Sequence, residues 1–160
     1  MTDPTSATRR SVLLGLGAAV ATGSAAVSAS AAEGWAVEET ETDSTLHDVV
    51  AADAGWFAGG DGGVLTTRGA DGWVTLRDGG PTGNGNDLYG AAVTDDGERV
   101  WVVGASGAIG EYDPATDTLV DRSAPMDNTN NYNAVAVTGE AGAANVYVAG
   151  DSGKIYYSFA

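Results

Sequence analysis

The chain of 160 residues contains no cysteine, one histidine (His47) and one lysine (Lys154). Without cysteine it can form no disulfide, no thiolate zinc site and no cysteine nucleophile. Export as a lipoprotein is excluded too, because that route attaches lipid to a cysteine after the signal. Basic residues are scarce, since 7 Lys and Arg stand against 22 Asp and Glu, giving a formal net charge of −15.

The shortage of basic residues is greater in the part of the chain after residue 32. Taking Asp3 from the 22 acidic residues, and Arg9 and Arg10 from the 7 basic ones, leaves 21 and 5, a net charge of −16. Such a surface repels nucleic acids and anionic membranes, so neither is an expected partner. The excess of acidic residues could serve only to keep the protein soluble through self-repulsion. The near-absence of lysine favours a second explanation, adaptation to high salt, where counter-ions screen the repulsion.

Residues 1–32 have the pattern of an export signal. Arg9 and Arg10, followed by an Ala/Gly-rich apolar run, resemble the twin-arginine (Tat) motif. The resemblance implies a protein that folds in the cytoplasm and works outside the cell or on its surface. The run is shorter than the ~20 residues of a membrane-spanning helix, so we expect no span after cleavage, which fits after residue 31 or 32. An uncleaved N-terminal anchor is the alternative.

Residues 33–160 are organised around a segment that occurs three times. Its copies are residues 55–64, 100–109 and 146–155. Each has an aromatic residue in an apolar run, then two glycines separated by small residues. The aromatic residues Trp56, Trp101 and Tyr147 are 45 and 46 positions apart, which is the period of a four-stranded propeller blade.

The segments between turn residues predict an all-β fold. The predicted strands are 46–51, 55–59, 64–67 and 72–77, then 88–93, 100–103, 108–112 and 118–122, then 132–137, 146–149 and 154–159. The third unit lacks a fourth strand, and Gly34–Glu39 matches Gly72–Arg77. Because propellers commonly close with an N-terminal strand, we expect residues 34–39 to pair with residues 154–159. The prediction is three four-stranded β-propeller blades, at about 41–80, 81–124, and 125–160 with 34–39.

Three blades are fewer than the ~4–8 of closed propellers. The chain is therefore expected to be part of a longer propeller, or to form a homodimer with a six-bladed ring. Both alternatives leave the ligand open, and the partner is a protein or a glycan.

The repeated residues resemble the BNR-like (bacterial neuraminidase repeat) and photosystem II assembly-factor-like propellers, which are WD40/YVTN-like in architecture. The pattern runs from Leu46 and Val49 through Gly55–Gly59 to Gly63–Leu65. The Asp-box of these families is only partly present, at Thr67–Trp73. The resemblance implies the fold but no particular function, since such rings host many.

Two sets of loops form the candidate ligand-binding surface, because in a propeller they emerge on one face. They join second to third strands and fourth to first strands, and their small, polar and acidic residues suit a cation, a sugar or a basic partner. The alternative is that these residues only form Asx turns. The candidates are Asp43, Asp61, Asn84, Asn86, Asp87, Ser106, Asp127, Asn128, Asn130 and Asp151.

No cofactor is required by these motifs. Residues 83–88 resemble the calcium-binding repeat of β-rolls, but that fold needs several stacked copies and here there is one. Calcium or another cation is thus the only cofactor candidate. His47 lies beside Asp48. A lone histidine in a strand is more often a packed or solvent-exposed residue than a ligand, and a metal at His47 would need carboxylates from other blades.

Catalytic residues are not predicted. A sialidase-like enzyme needs converging arginines, whereas Arg68, Arg77, Arg99 and Arg122 occupy unrelated repeat positions and are expected not to converge. The leading prediction is a secreted, non-catalytic binding or assembly module adapted to high salt. The alternative is a carbohydrate-binding or carbohydrate-active extracellular protein.

Overall fold

The computed structural model describes residues 34–158, which form three antiparallel β-sheets. Sheet 1 consists of β1 (Leu46–Ala52), β2 (Gly55–Gly60), β3 (Leu65–Gly69) and β4 (Gly72–Arg77). Sheet 2 consists of β5 (Leu88–Val93), β6 (Val100–Gly104), β7 (Ile109–Asp113) and β8 (Thr118–Asp121). Sheet 3 consists of β9 (Tyr132–Thr138), β10 (Asn145–Gly150) and β11 (Ile155–Ser158).

Each sheet is a meander in which strands adjacent in sequence pair with one another. All three sheets belong to one compact unit, which begins at Val37. The predicted export signal, including Arg9 and Arg10, lies outside the described residues. Within residues 34–158, no helix is long and apolar enough to cross a membrane.

A short 3₁₀ turn joins the second and third strands of every sheet. The turns are Asp61–Gly63, Ala105–Gly107 and Asp151–Gly153, so equivalent residues are 44 and then 46 positions apart. In this register Phe57, and not Trp56, is the equivalent of Trp101 and Tyr147. The sequence alignment of Trp56 with Trp101 is therefore wrong by one residue.

The reason for the shift is a glycine that the fold requires before each turn. Gly60, Gly104 and Gly150 are equivalent, and a Cβ at any of them would collide with the carbonyl oxygen of the residue before the first strand. The N–H that follows each glycine donates to that same carbonyl, at 2.8 to 3.0 Å. The first copy carries two adjacent glycines, and pairing Gly59 with Gly104 displaced the alignment.

Apolar residues fill the two spaces between the sheets. Between sheets 1 and 2 the buried residues are Phe57, Leu65, Leu88, Val100, Val102 and Tyr112. Between sheets 2 and 3 they are Trp101, Val103, Ile109, Tyr132, Val146 and Val148. Strand β6 supplies alternate side chains to both clusters, as expected for a strand whose side chains point to opposite faces. Sheet 2 is therefore buried on both faces.

The first strands of the three sheets are neighbours, since β5 packs beside both β1 and β9. The sheets do not close into a ring within residues 34–158. Sheet 1 and sheet 3 each have one face without a neighbouring sheet in that part of the chain. We call the face directed toward the next sheet in chain order the forward face, and the opposite one the rear face.

The predicted N-terminal strand is not present in sheet 3, which has three strands. Residues 36–40 form no strand. Instead, the Glu38 carboxylate accepts two hydrogen bonds of 2.7 Å from Arg68 and one of 2.9 Å from the Trp73 indole. These contacts attach Glu38 to the rear face of sheet 1. The two bonds from the Arg68 guanidinium form a bidentate charged pair, which is stronger than a neutral hydrogen bond. The backbone N–H of Thr75 likewise donates to Glu41.

Candidate functional site

A β-bulge occurs at the same place in each first strand. The pairing register slips between Leu46 and Asp48 in sheet 1, between Leu88 and Gly90 in sheet 2, and opposite Ala149 and Gly150 in sheet 3. The residue left unpaired is His47, Tyr89 or Asn133. A bulge redirects a side chain out of the regular alternation of a strand. The fold thus presents three chemically different side chains from one repeated position.

Each bulged side chain has an acidic neighbour. Nε2 of His47 lies 2.6 Å from Oδ1 of Asp61, and Nδ2 of Asn133 donates to Oδ1 of Asp151 at 3.3 Å. Asp61 and Asp151 are equivalent first residues of their turns, and sheet 2 has Ala105 in that place. The Tyr89 hydroxyl instead donates to Asp87, at 3.4 Å. We call these six residues (His47, Asp61, Asp87, Tyr89, Asn133 and Asp151) the bulge cluster.

The bulge cluster spans all three sheets. The rings of His47 and Tyr89 meet edge to face, with centroids 5.4 Å apart. Burial raises the pKa of Tyr89, and the negative charges of Asp87, Asp61 and Asp151 raise it further. Carboxylates from sheets 1 and 3 therefore both act on a hydroxyl of sheet 2. The six side chains therefore lie in one negatively charged region, in which the contact between His47 and Tyr89 joins sheets 1 and 2.

The carboxylate of Asp61 is held in its ionised form. Its hydrogen bond with His47 contributes most to lowering its pKa below the ordinary value of 3.8, and a hydrogen bond with Thr45 contributes next. Both side chains are partly open to solvent, with 30% of His47 and 46% of Asp61 exposed. A ligand can therefore reach this pair without a rearrangement of the core.

Two polar residues, Asp87 within the cluster and Asn131 beside it, also connect neighbouring sheets. Asp87 and Asn131 are equivalent residues that immediately precede β5 and β9. The carboxylate of Asp87 accepts the N–H of Gly62 in the preceding sheet, at 2.8 Å. The amide oxygen of Asn131 accepts the N–H of Ser106 in the same way, at 3.0 Å. These bonds explain part of the polar loop composition as structure and not as ligand binding.

The structure brings together some of the predicted site residues. Asp61, Asp87 and Asp151 belong to the bulge cluster, while Ser106 and Asn130 lie beside it through contacts with Asn131 and Ser152. The others lie in the surrounding loops. Asn84 and Asn86 bond Thr82, and Asn128 bonds the Tyr132 hydroxyl at 2.7 Å. Asp43 and Asp127 are exposed loop residues.

Sequence reasoning missed Tyr89 and Asn133, and it treated His47 as a packed or solvated residue. Their shared signal is position, because each is the second residue of a first strand. The bulge at that position can be recognised only once Gly60, Gly104 and Gly150 are aligned with one another. Each of these glycines pairs with the residue just before a bulge. Regular strand alternation would instead direct these side chains to a sheet face.

Metal binding finds no ready site in the bulge cluster. Among residues 34–158, no group of three His, Cys, Asp or Glu side chains is placed to hold a metal ion. The three carboxylates each bond a different partner. A bound calcium or other cation stays a prediction of the sequence.

A second concave region lies between sheets 2 and 3, at their outer strands. This cavity of about 310 Å³ is lined by Trp101, Ile109, Glu111, Arg122, Pro125 and Tyr156 with their neighbours. In the equivalent space between sheets 1 and 2, Tyr112 and Leu119 of sheet 2 pack against the core. Ser158 is the equivalent of Tyr112, and sheet 3 has no strand equivalent to β8 within the described chain. Among residues 34–158, sheet 3 thus has no strand in the place where β8 of sheet 2 contributes Leu119 to the core.

The arginines pair with carboxylates at the outer strands. Arg68 bonds Glu38, and Arg77 bonds Asp117 at 2.6 Å. Arg99 and Arg122 both approach Glu111, at 4.0 and 2.9 Å, and Arg99 also bonds Asp113. The expectation that no arginines converge is wrong for these two. Their charges are already balanced by acidic partners, so they do not form an open carboxylate clamp.

The fold and the site together define a repetitive all-β protein of antiparallel sheets that carries one acidic polar cluster at the ends of its first strands. No family model matches this chain, and no curated protein matches it as a relative.

Proposed function

We propose that the protein is a non-catalytic binding module and that the bulge cluster is its ligand site. The observation that carries this proposal is the repeated bulge. The backbone of the three first strands is the same at this point, whereas the bulged side chains are His, Tyr and Asn. Three different polar groups, displayed from one backbone position on a rigid sheet scaffold, give a surface that can make distinct contacts with a ligand.

The preferred ligand is a cationic group, namely an ammonium or guanidinium of a basic protein segment. Three carboxylates contribute negative charge, and within residues 37–158 the arginines pair away from the cluster. The hydroxyl of Tyr89 and the amide of Asn133 add hydrogen-bonding groups that fix the orientation of a ligand. A cationic ligand is attracted by the net charge of the whole chain as well.

The wider setting is also part of the proposal. We propose that the sheets are blades of a BNR-like β-propeller, which is supported by their meander topology and by the neighbouring first strands. The protein is exported by the twin-arginine route and works outside the cell in high salt. Support for this comes from residues 9 and 10 and from the excess of acidic residues.

Binding of hexa-arginine, measured by isothermal titration calorimetry, tests the ligand class. The double variant Asp61→Asn with Asp151→Asn removes two exposed charges of the cluster and spares Asp87, which holds Gly62. We expect about tenfold weaker binding, because exposed charge pairs each contribute up to about 1 kcal/mol and about 1.4 kcal/mol is tenfold in affinity.

The matched control is Asp71→Asn with Glu140→Gln, which changes the net charge equally at exposed positions outside the cluster. It should bind like the wild type at about 0.15 M salt, where long-range effects are screened. Equal weakening in both double variants would overturn the site and leave only a general charge effect.

Carbohydrate binding is the second candidate, supported by Tyr89 and Asn133 beside carboxylates. A glycan array of the wild-type protein tests it. Binding of a glycan that Asn133→Ala abolishes, without any binding of hexa-arginine, would replace the cationic ligand by a sugar at the same site.

A further inference from the structure

We propose that two copies of this chain associate, with the forward face of sheet 3 in each copy packed on the rear face of sheet 1 in the other. This interface is separate from the ligand site proposed above, and each can fail without the other. The evidence is a comparison of equivalent residues in the three sheets.

The forward face of sheet 3 carries core residues that have nothing to cover them among residues 34–158. In sheet 2, Trp101 and Ile109 on the forward face are 8% and 6% exposed. Their equivalents in sheet 3, Tyr147 and Ile155, are 45% and 69% exposed. The same repeat position is thus apolar in both sheets, but it is buried only where a following sheet is present.

The rear face of sheet 1 shows the complementary difference. Val100, on the rear face of sheet 2, is fully buried, whereas its equivalent Trp56 is 50% exposed. Val49, equivalent to the packed Ala91, is 52% exposed. Large apolar side chains therefore stand on both open faces, at positions that form the core elsewhere in the chain.

The composition of the sheet 3 face also favours contact with protein. Cross-strand pairing places Ala134, Ala136 and Ala149 beside Tyr147 and Ile155 on this face. A depression of about 220 Å³ is lined by these residues. The described strands place no charged residue on this face, in a chain whose surface is otherwise strongly acidic. Contiguous apolar surface of this kind marks an interaction site.

A second copy is the occupant that fits, because the same interface already exists twice in the chain. Val100 packs with Phe57 and Leu65 between sheets 1 and 2. The equivalents of those three residues are Trp56, Tyr147 and Ile155. Packing Trp56 of one copy over Tyr147 and Ile155 of the other would repeat a contact that the fold has already formed.

Two copies also give a closed assembly. A head-to-tail contact that does not close produces filaments, and six is the only multiple of three within the ~4–8 sheets of closed propellers. Because sheet 3 has three strands among residues 34–158, the outer part of the sheet 1 rear face would meet no fourth strand from those residues of the other copy. That part is where Glu38 binds Arg68 and Trp73.

Sedimentation velocity of the full chain over a concentration series, in molar KCl, tests the proposal. We expect a species of twice the chain mass. Ile155→Glu and Trp56→Glu should each shift the protein to monomer, while Met126→Glu, at an exposed apolar residue outside both faces, should not.

A mixture of the Ile155→Glu and Trp56→Glu chains provides the sharper test. Each mixed pair retains one unmodified interface, so partial dimerisation should return. Circular dichroism melting verifies that both variants are folded. A wild-type chain that is monomeric at every concentration, or that forms assemblies of three or more copies, would overturn the proposal without affecting the ligand site.

Discussion

Sheet 2 and its two neighbours contain the same repeat in different surroundings. Sheet 2 packs on both faces, and its middle strand β6 is buried along its whole length. Sheets 1 and 3 each bury one face and leave equivalent apolar residues exposed on the other. The difference shows that each repeat encodes half of an interface on each face, and that the neighbouring repeat supplies the other half.

The largest effect that tests this comparison comes from one substitution made at equivalent isoleucines. Ile109→Ala removes a buried side chain and should lower the free energy of unfolding by about 2–5 kcal/mol. Ile155→Ala, at the equivalent exposed position, should cost less than about 1 kcal/mol in a monomer. Urea denaturation at low protein concentration, in the Trp56→Glu background, measures both. Equal losses would show that the two equivalent positions do not differ in burial.

The comparison also explains the behaviour of the segment before β1. On sheet 2 the rear-face position of the third strand is Tyr112, which is buried against sheet 1. On sheet 1 the equivalent residue is Arg68, which binds Glu38 from the same chain. On the uncovered rear face of sheet 1, the Arg68–Glu38 ion pair thus occupies the position that the buried Tyr112 occupies on the rear face of sheet 2.

A smaller effect, on pH dependence, tests that explanation. The hydrogen bonds from Arg68 and Trp73 lower the pKa of Glu38 from its ordinary value of 4.5 to about 2. A depressed pKa means that the contact stabilises the folded state above about pH 4.5 and that this contribution is lost as the pH falls toward 2. Carboxyl NMR titration should give the low value, and Arg68→Gln should raise it. A pKa near 4.5 in the wild type would show that the segment does not bind sheet 1.

Much of the architecture could be predicted from the sequence, because the strands follow apolar segments bounded by turn residues. The predicted strands at residues 72–77 and 88–93 match β4 and β5. The error at Trp56 arose because two adjacent glycines offered two alignments. Only the contact of Gly60 with the chain before β1 distinguishes them.

The candidate site could be predicted only in part. The acidic residues Asp61, Asp87 and Asp151 could be predicted as site residues, because the loops of a repeat fall at equivalent positions. Tyr89 and Asn133 could not be predicted, because a bulge depends on the pairing register of two strands. The amino-acid composition of a strand does not reveal that register. Likewise, the N-terminal segment resembled a strand, but one bidentate bond of Glu38 attached it to another sheet.

The most direct test of the bulge cluster is to follow its side chains by NMR while hexa-arginine is added. The His47 and Tyr89 rings and the Asn133 amide should shift first and saturate together. The Trp101 indole N–H, which is buried without a hydrogen-bond partner among the described residues, lies at the outer cavity and should not move. Shifts confined to Trp101 and the residues around that cavity, with the bulge cluster unchanged, would contradict the account.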